Sequence, residues 1–233
     1  MNTAARTGLT ILGFVVAAAA GAAIHAAVTG GNEARIERAV TEKLAAARTD
    51  DVNDRIAAHW GALAADPASP VIGNPDGDVT IVEFFDYACP YCKVAKPRLT
   101  AAVDGDKRVR LVLKEFPILT PESMIASRVA LVANAQGKYR PFHDALMGYQ
   151  GALTQDVIFE TARRVGLNMQ ALPHDMQAPQ ITAQIIANYN LARAIRAFQT
   201  PTYVAGGSAG AHVLSSTSAS IDFRKEIAVA RGG

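Results

Sequence analysis

Cys89 and Cys92 are the only cysteines in 233 residues, and they stand as Cys89-Pro90-Tyr91-Cys92. A β-rich apolar run, Val79 to Phe85, precedes them, and a helix-compatible segment follows through Arg98. A sulfur at a helix N-terminus faces N–H groups without an intrahelical partner and the positive end of the helix dipole. Both favour thiolate over thiol, so Cys89 is expected to have a lowered pKa and to act as the nucleophile. Cys92, one turn on, is expected to be shielded and to act as the resolving partner. A substrate thiolate would attack a Cys89–Cys92 disulfide to form a mixed disulfide through Cys89, and a second substrate thiol would release it. That cycle needs no cofactor.

Other uses of two cysteines fit less well. Structural zinc takes four ligands, commonly a second Cys or His pair at short spacing. The histidines are His25, His59, His143, His174 and His212, all isolated from one another and from the cysteines. Two thiolates alone could hold Cu(I), a soft ion that accepts low coordination. A disulfide between residues three apart closes too small a loop to constrain much of the chain. Dithiol redox chemistry is the preferred reading.

Two further features bear on it. Glu83 lies on the strand before Cys89, between Val82 and Phe84. Turned inward beneath the helix, it would have a raised pKa suited to proton exchange with Cys92. Thr200-Pro201 opens a strand, where a proline must sit at an edge or a bend. A cis peptide is compatible with that position, although X-Pro bonds are mostly trans.

The elements that must place these groups alternate. Val71 to Asp78 is a turn-rich lead-in; Val79 to Phe85 is a strand; a helix runs on from Cys92, with a kink expected near Val94 to Lys96 because of Pro97. Val109 to Phe116 is the next strand, giving a parallel βαβ unit of right-handed crossover and an α/β class. Helices follow: one capped by Thr120 with Pro121 in its first turn, one from Tyr139 to Met147, one capped by Thr154, and one marked by Ile181, Ile185, Tyr189, Ala192 and Ile195. Thr202 to Ala205 and Ala211 to Leu214 form a closing hairpin, and Ile221 to Ala230 a last helix.

Half the residues are hydrophobic and 19% are charged, which excludes wholesale disorder. A net charge of +2, with no basic run interleaved with aromatics, argues against nucleic-acid binding. Residues 1–31 carry an apolar centre, Leu9 to Val28, behind Arg6. They read as a secretory signal with Ala23 or Ala26 at the cleavage point, or as an uncleaved anchor; the cleaved signal is preferred. Either reading exports the remainder. Residues 32–70 form a charged helical arm, with stripes Ile36, Val40, Leu44, Ala47 and Val52, Ile56, Trp60, Leu63. These stripes need a surface to pack on, either their own domain or other copies of the chain through residues 32–66.

The run from Phe84 to Lys93, the Lys114 to Leu119 run, the helices after it and Thr200-Pro201-Thr202 resemble the DsbA-like branch of the thioredoxin superfamily. The resemblance covers Val71 to Arg231. It implies a thioredoxin fold over 71–233, with a helical domain of about 119–197 inserted between the second and third strands and the N-terminal helical arm ahead of it. It also implies that Cys89 attacks and that Pro201 is the cis proline facing the disulfide, preceded by Thr200. Pro90 and Tyr91 would tune the potential. A tyrosine supplies no cation beside the thiolate, so a weaker oxidant than the best-known DsbA is expected. Gln199 stands where many relatives have glycine, and Thr200 is similar to the isomerase-type and suppressor-of-copper-sensitivity members. The implied function is an exported, periplasmic oxidoreductase that introduces disulfides into cysteine-containing proteins and is reset by a membrane redox partner. An oligomeric isomerase or reductase, or a Cu(I)-binding copper-tolerance protein using the same thiols, are the alternatives.

Overall fold

The computed structural model describes residues 34–47, 49–214 and 220–233. The segment read as signal or anchor lies outside them; among the described residues no helix is long and apolar enough to cross a membrane. The chain divides into two compact units, Met1–Asp50 and Asp51–Gly233. In the first, residues 34–47 are helical, and Ile36, Val40 and Leu44 are exposed.

The second unit is built on a five-stranded sheet of order β1-β3-β2-β4-β5. Its strands are β1 (Val71–Gly73), β2 (Val79–Phe85), β3 (Val109–Glu115), β4 (Thr202–Gly207) and β5 (Gly210–Val213). The long apolar run became the central strand: all seven residues of β2 are buried. Helix α2 (Pro90–Gly105) crosses from β2 to β3, which pair in parallel; the other pairs are antiparallel. It is one helix with Pro97 inside it, where the sequence predicts a kink. Val71–Gly73, expected as part of a lead-in loop, is an edge strand on β3, and Ile72 is buried beside Leu111. The helical insertion therefore follows the third strand of the sheet rather than the second. It comprises α3 (Pro121–Ala135), α4 (Tyr139–Gly148), α5 (Gln155–Arg164), α6 (Leu172–Asp175) and α7 (Pro179–Ala194). Thr120 and Thr154 cap α3 and α5 by accepting the N–H of Ser123 and Val157. The short α6 carried no readable period. Helix α8 (Phe223–Arg231) closes the chain, capped by Asp222.

Because side chains alternate along a strand, β2 and β3 send two sets of residues to opposite faces. Val79, Ile81, Phe85, Leu111 and Leu113 pack with Cys92, Ala95 and Leu99 of α2. Val82, Phe84 and Val112 pack instead with Leu191 and Ile195 and with Ile56 and Leu63. The arm expected over 32–70 is thus split: the Val52, Ile56, Trp60, Leu63 stripe covers the far face of the sheet, with α1 (Trp60–Ala64) at its end. Gly206 of β4 admits the Trp60 ring, since a Cβ there would lie 2.3 Å from it.

Two buried ionisable side chains in β3 lock this arrangement. Lys114 Nζ donates to Ala62 O and Ser69 Oγ, both at 2.8 Å, and to Asp66 Oδ2 at 3.2 Å. Gln184 of α7 donates to the same Asp66 oxygen at 2.7 Å. On the opposite face Glu115 accepts from Tyr139 of α4 and Ser127 of α3, each at 2.7 Å, and from Tyr87 at 3.3 Å. One carboxyl thereby fastens two inserted helices to the sheet.

Burial pushes the Glu115 pKa up to about 8, and the three hydroxyl donors only partly oppose it. A folded-state pKa above the unfolded one means the native state binds the extra proton. The stability Glu115 contributes is complete below its unfolded pKa of 4.5 and is lost as the pH rises through about 8. The uncharged isostere of Glu115→Gln lacks this loss. In denaturant titrations at several pH values, the stability of Glu115→Gln relative to wild type should increase by roughly 1 kcal/mol per pH unit across that window. A difference independent of pH would show that Glu115 is ionised in the fold.

Candidate active site

The sheet register brings the chemistry to one edge. Antiparallel pairing sets Phe84 opposite Thr202, so the C-terminal end of β2 and the start of β4 lie side by side. Beyond Phe85 the chain turns through Asp86 to Ala88 into Cys89; just before Thr202 stands Thr200-Pro201, whose peptide is cis. A trans bond was the expectation from X-Pro preference, and the cis bond is what the family resemblance implied. Cys89 and Thr200 are in contact, with Cys89 Sγ 3.3 Å from Thr200 O.

Cys89 is the N-cap of α2, with Pro90 in the first turn, and its sulfur accepts the Cys92 N–H at 3.3 Å. Both cysteines are free thiols and both are buried. The Cys89 pKa is lowered to about 6, foremost by a hydrogen bond from the Cys92 side chain. Burial opposes this; the Thr200 side chain and the N–H groups of Cys92 and Tyr91 add to it. The contact to Thr200 O runs the other way, since a carbonyl can only accept from the neutral thiol. Cys92 is pushed far up, first by burial and then by the hydrogen bond to Cys89 and the charges of Glu83 and Cys89. The pair is strongly asymmetric.

Glu83 is 1% exposed and shares the Ile81 and Phe85 side of β2, the face that α2 covers. Burial raises its pKa to about 7, while a hydrogen bond from Tyr203 and the Lys96 charge lower it and the Cys89 charge raises it. Its Oε1 accepts from Tyr203 Oη at 3.0 Å; its Oε2 is buried without a partner among the described residues. A carboxyl titrating near neutrality beside a shielded thiol can take or return that thiol's proton. Pro90 and Tyr91 are exposed at the helix start, and Tyr91 contributes through its N–H rather than its ring.

Asp86 is a supporting residue that sequence reasoning missed. It is fully buried. Its Oδ1 accepts from the Ala88 N–H at 2.7 Å and Ser123 Oγ at 2.6 Å, and its Oδ2 from the N–H groups of Ile118 and Leu119 at 2.8 and 2.9 Å. It holds the turn before Cys89 against the start of the insertion. An acidic residue directly after the buried Phe84-Phe85 end of the strand was the available signal. Tyr203 was missed as well, because its facing of Glu83 depends on the β2–β4 register.

The ultraviolet thiolate absorbance of the reduced protein should titrate with a midpoint near pH 6, assigned to Cys89. In Cys92→Ala, which removes the leading hydrogen bond, the midpoint should rise by ~1–2 units, the worth of a hydrogen bond to a charged group. An unmoved midpoint would mean that backbone N–H groups alone stabilise the thiolate.

Residues 80–225 match the family described as the DSBA-like thioredoxin domain. A thioredoxin-like oxidoreductase from Silicibacter pomeroyi DSS-3 is 42% identical, with a TM-score of 0.66, over 74% of this chain and 98% of that one. The catalytic domain of Proteus mirabilis ScsC is 25% identical, with a TM-score of 0.64, over 76% and 96%. Among curated relatives, the Na(+)/H(+) antiporter NhaA 1 of Salinispora arenicola is 27% identical over 139 residues, which are 59% of this chain and 21% of the antiporter. The chain thus spans about a fifth of that relative's length, and the likeness concerns one domain. The edge-of-sheet cysteine pair, the cis proline beside it and these matches agree: the chain belongs to the DSBA-like thioredoxin domain family of thiol–disulfide oxidoreductases.

Proposed function

We propose that this protein is exported to the periplasm and introduces disulfides into cysteine-containing proteins there. The observation that carries the reading is the asymmetry of the pair, a Cys89 thiolate favoured by hydrogen bonds against a buried, protonated Cys92. A substrate thiolate attacks Cys89 Sγ of the disulfide, and Cys92 leaves and takes a proton from Glu83. A second substrate thiolate then attacks the substrate sulfur and displaces Cys89. Two electrons have passed to the pair, and the substrate holds a new disulfide. Cys89 leaves readily because its thiolate is stable. A membrane redox partner that accepts those two electrons resets the cycle.

Side chains around the pair suit an unfolded polypeptide better than a small molecule. Tyr91 and Val94 on α2, Ile118 and Leu119 beside Asp86, and Phe198 ahead of Thr200 are exposed and apolar. Such a rim can hold apolar segments of a substrate chain in any order.

The exposed face of Ile36, Val40 and Leu44 supports a second reading, a disulfide isomerase or reductase assembled through the 34–47 helix. Association separates the two: sedimentation as a monomer favours the oxidase and as an oligomer the isomerase.

Cys92→Ala should accumulate mixed disulfides with cysteine-containing proteins through Cys89, seen as reductant-sensitive adducts on non-reducing gels. Cys89→Ala should accumulate none. Adducts that require Cys92 in the absence of Cys89 would reverse the roles.

A further inference from the structure

We propose that Tyr203 is a positioning residue of the proton relay, assigning one oxygen of Glu83 to a permanent hydrogen bond and leaving the other for the Cys92 proton. The inference rests on the reading of Glu83 as the group that exchanges a proton with Cys92. It begins with the register, which sets Glu83 directly opposite Tyr203 in the neighbouring strand. The Tyr203 ring is buried and packs edge-on to Phe223 of α8, with ring centroids 5.0 Å apart, so its hydroxyl has little freedom. That hydroxyl donates to Glu83 Oε1 at 3.0 Å, while Oε2 stays buried and unpartnered among the described residues.

The groups facing Glu83 leave this task to Tyr203. From α2 come Lys96 and the two cysteines; from β4 comes Tyr203; the register partner in β3 is the apolar Leu113. The Lys96 ammonium is engaged elsewhere, by Asp144 of α4 and by Thr100 Oγ1 at 2.8 Å. It acts on Glu83 through space. Tyr203 itself is held protonated, by burial first and then by the charges of Glu83 and Cys92, so it donates throughout the cycle and never serves as a base.

Consequences for the resolving step follow. In a mixed disulfide between Cys89 and glutathione, the Cys92 thiol gives its proton to Glu83 Oε2 and its sulfur attacks Cys89 Sγ. The bond from Cys89 to glutathione breaks, and glutathione leaves as its thiolate. The step needs ionised Glu83. A hydrogen bond from Tyr203 is stronger to the carboxylate than to the neutral acid, so it favours the ionised form against the effect of burial. Without the hydroxyl, Glu83 stays protonated to higher pH.

The test is the pH dependence of glutathione release from protein glutathionylated at Cys89, measured in wild type, Tyr203→Phe and Glu83→Gln. Phenylalanine keeps the edge-on contact with Phe223, so a packing role alone would leave the pH profile in place. Wild type should show an inflection near pH 7. In Tyr203→Phe the inflection should move up by about one unit, and release at neutral pH should slow by up to about tenfold. In Glu83→Gln the inflection should vanish, and adding Tyr203→Phe to that variant should change nothing further. An inflection that Glu83→Gln abolishes but Tyr203→Phe leaves unmoved would overturn the role of Tyr203 while keeping that of Glu83. An inflection that survives Glu83→Gln would overturn both.

Discussion

The site depends on a sulfur in the place where a helix usually has an oxygen cap. Cys89 occupies the N-cap of α2 and accepts the Cys92 N–H, as a serine or aspartate would in an ordinary helix. Every consequence in the chemistry follows from that substitution. The orphan donors of the first turn, together with the Cys92 thiol, stabilise charge on Cys89. Because Cys92 faces the sheet from the same turn, burial denies it the charge its neighbour is given. Two identical side chains three residues apart therefore behave as nucleophile and reserve.

Holding a cap of this kind in place requires buried polarity on both faces of the sheet. Glu83 and Glu115 lie on the face that carries α2, α3 and α4, and Lys114 on the face closed by residues 52–64 and part of α7. Each is satisfied differently. Lys114 has three acceptors and Glu115 three donors, so both are structural fastenings. Among the described residues, Glu83 has one donor and one unpartnered oxygen. Buried groups left half-satisfied are rare because they are costly, and they concentrate where a proton must move. That contrast distinguishes the carboxyl beneath the cysteines from the carboxyl beneath the insertion.

Much of this was legible in residues alone. The apolar run from Val79 to Phe85, the two cysteines at a helix start and the caps at Thr120 and Thr154 are local signals, and local physics produced the elements expected of them. What escaped reading was non-local. The stripe from Val52 to Leu63 has the same period as the one from Ile36 to Leu44, yet the first is packed on the sheet and the second is exposed. Periodicity announces an apolar face without naming its partner. Val71–Gly73 was too short to announce itself as a strand until Ile72 found its place beside Leu111. Tyr203 could not be paired with Glu83 without the β2–β4 register, and Asp86 needed the insertion folded back over it.

Hydrogen bonding to the Cys89 thiolate, without a cation from Tyr91, should stabilise the reduced pair and give the proposed oxidase a moderate oxidising strength. Equilibration in glutathione buffers measures this directly. The expected reduction potential lies above that of thioredoxin, about −270 mV, and below that of the strongest oxidant of this type, about −120 mV. A potential at or below the thioredoxin value would contradict it, because the thiolate would then confer no oxidising power.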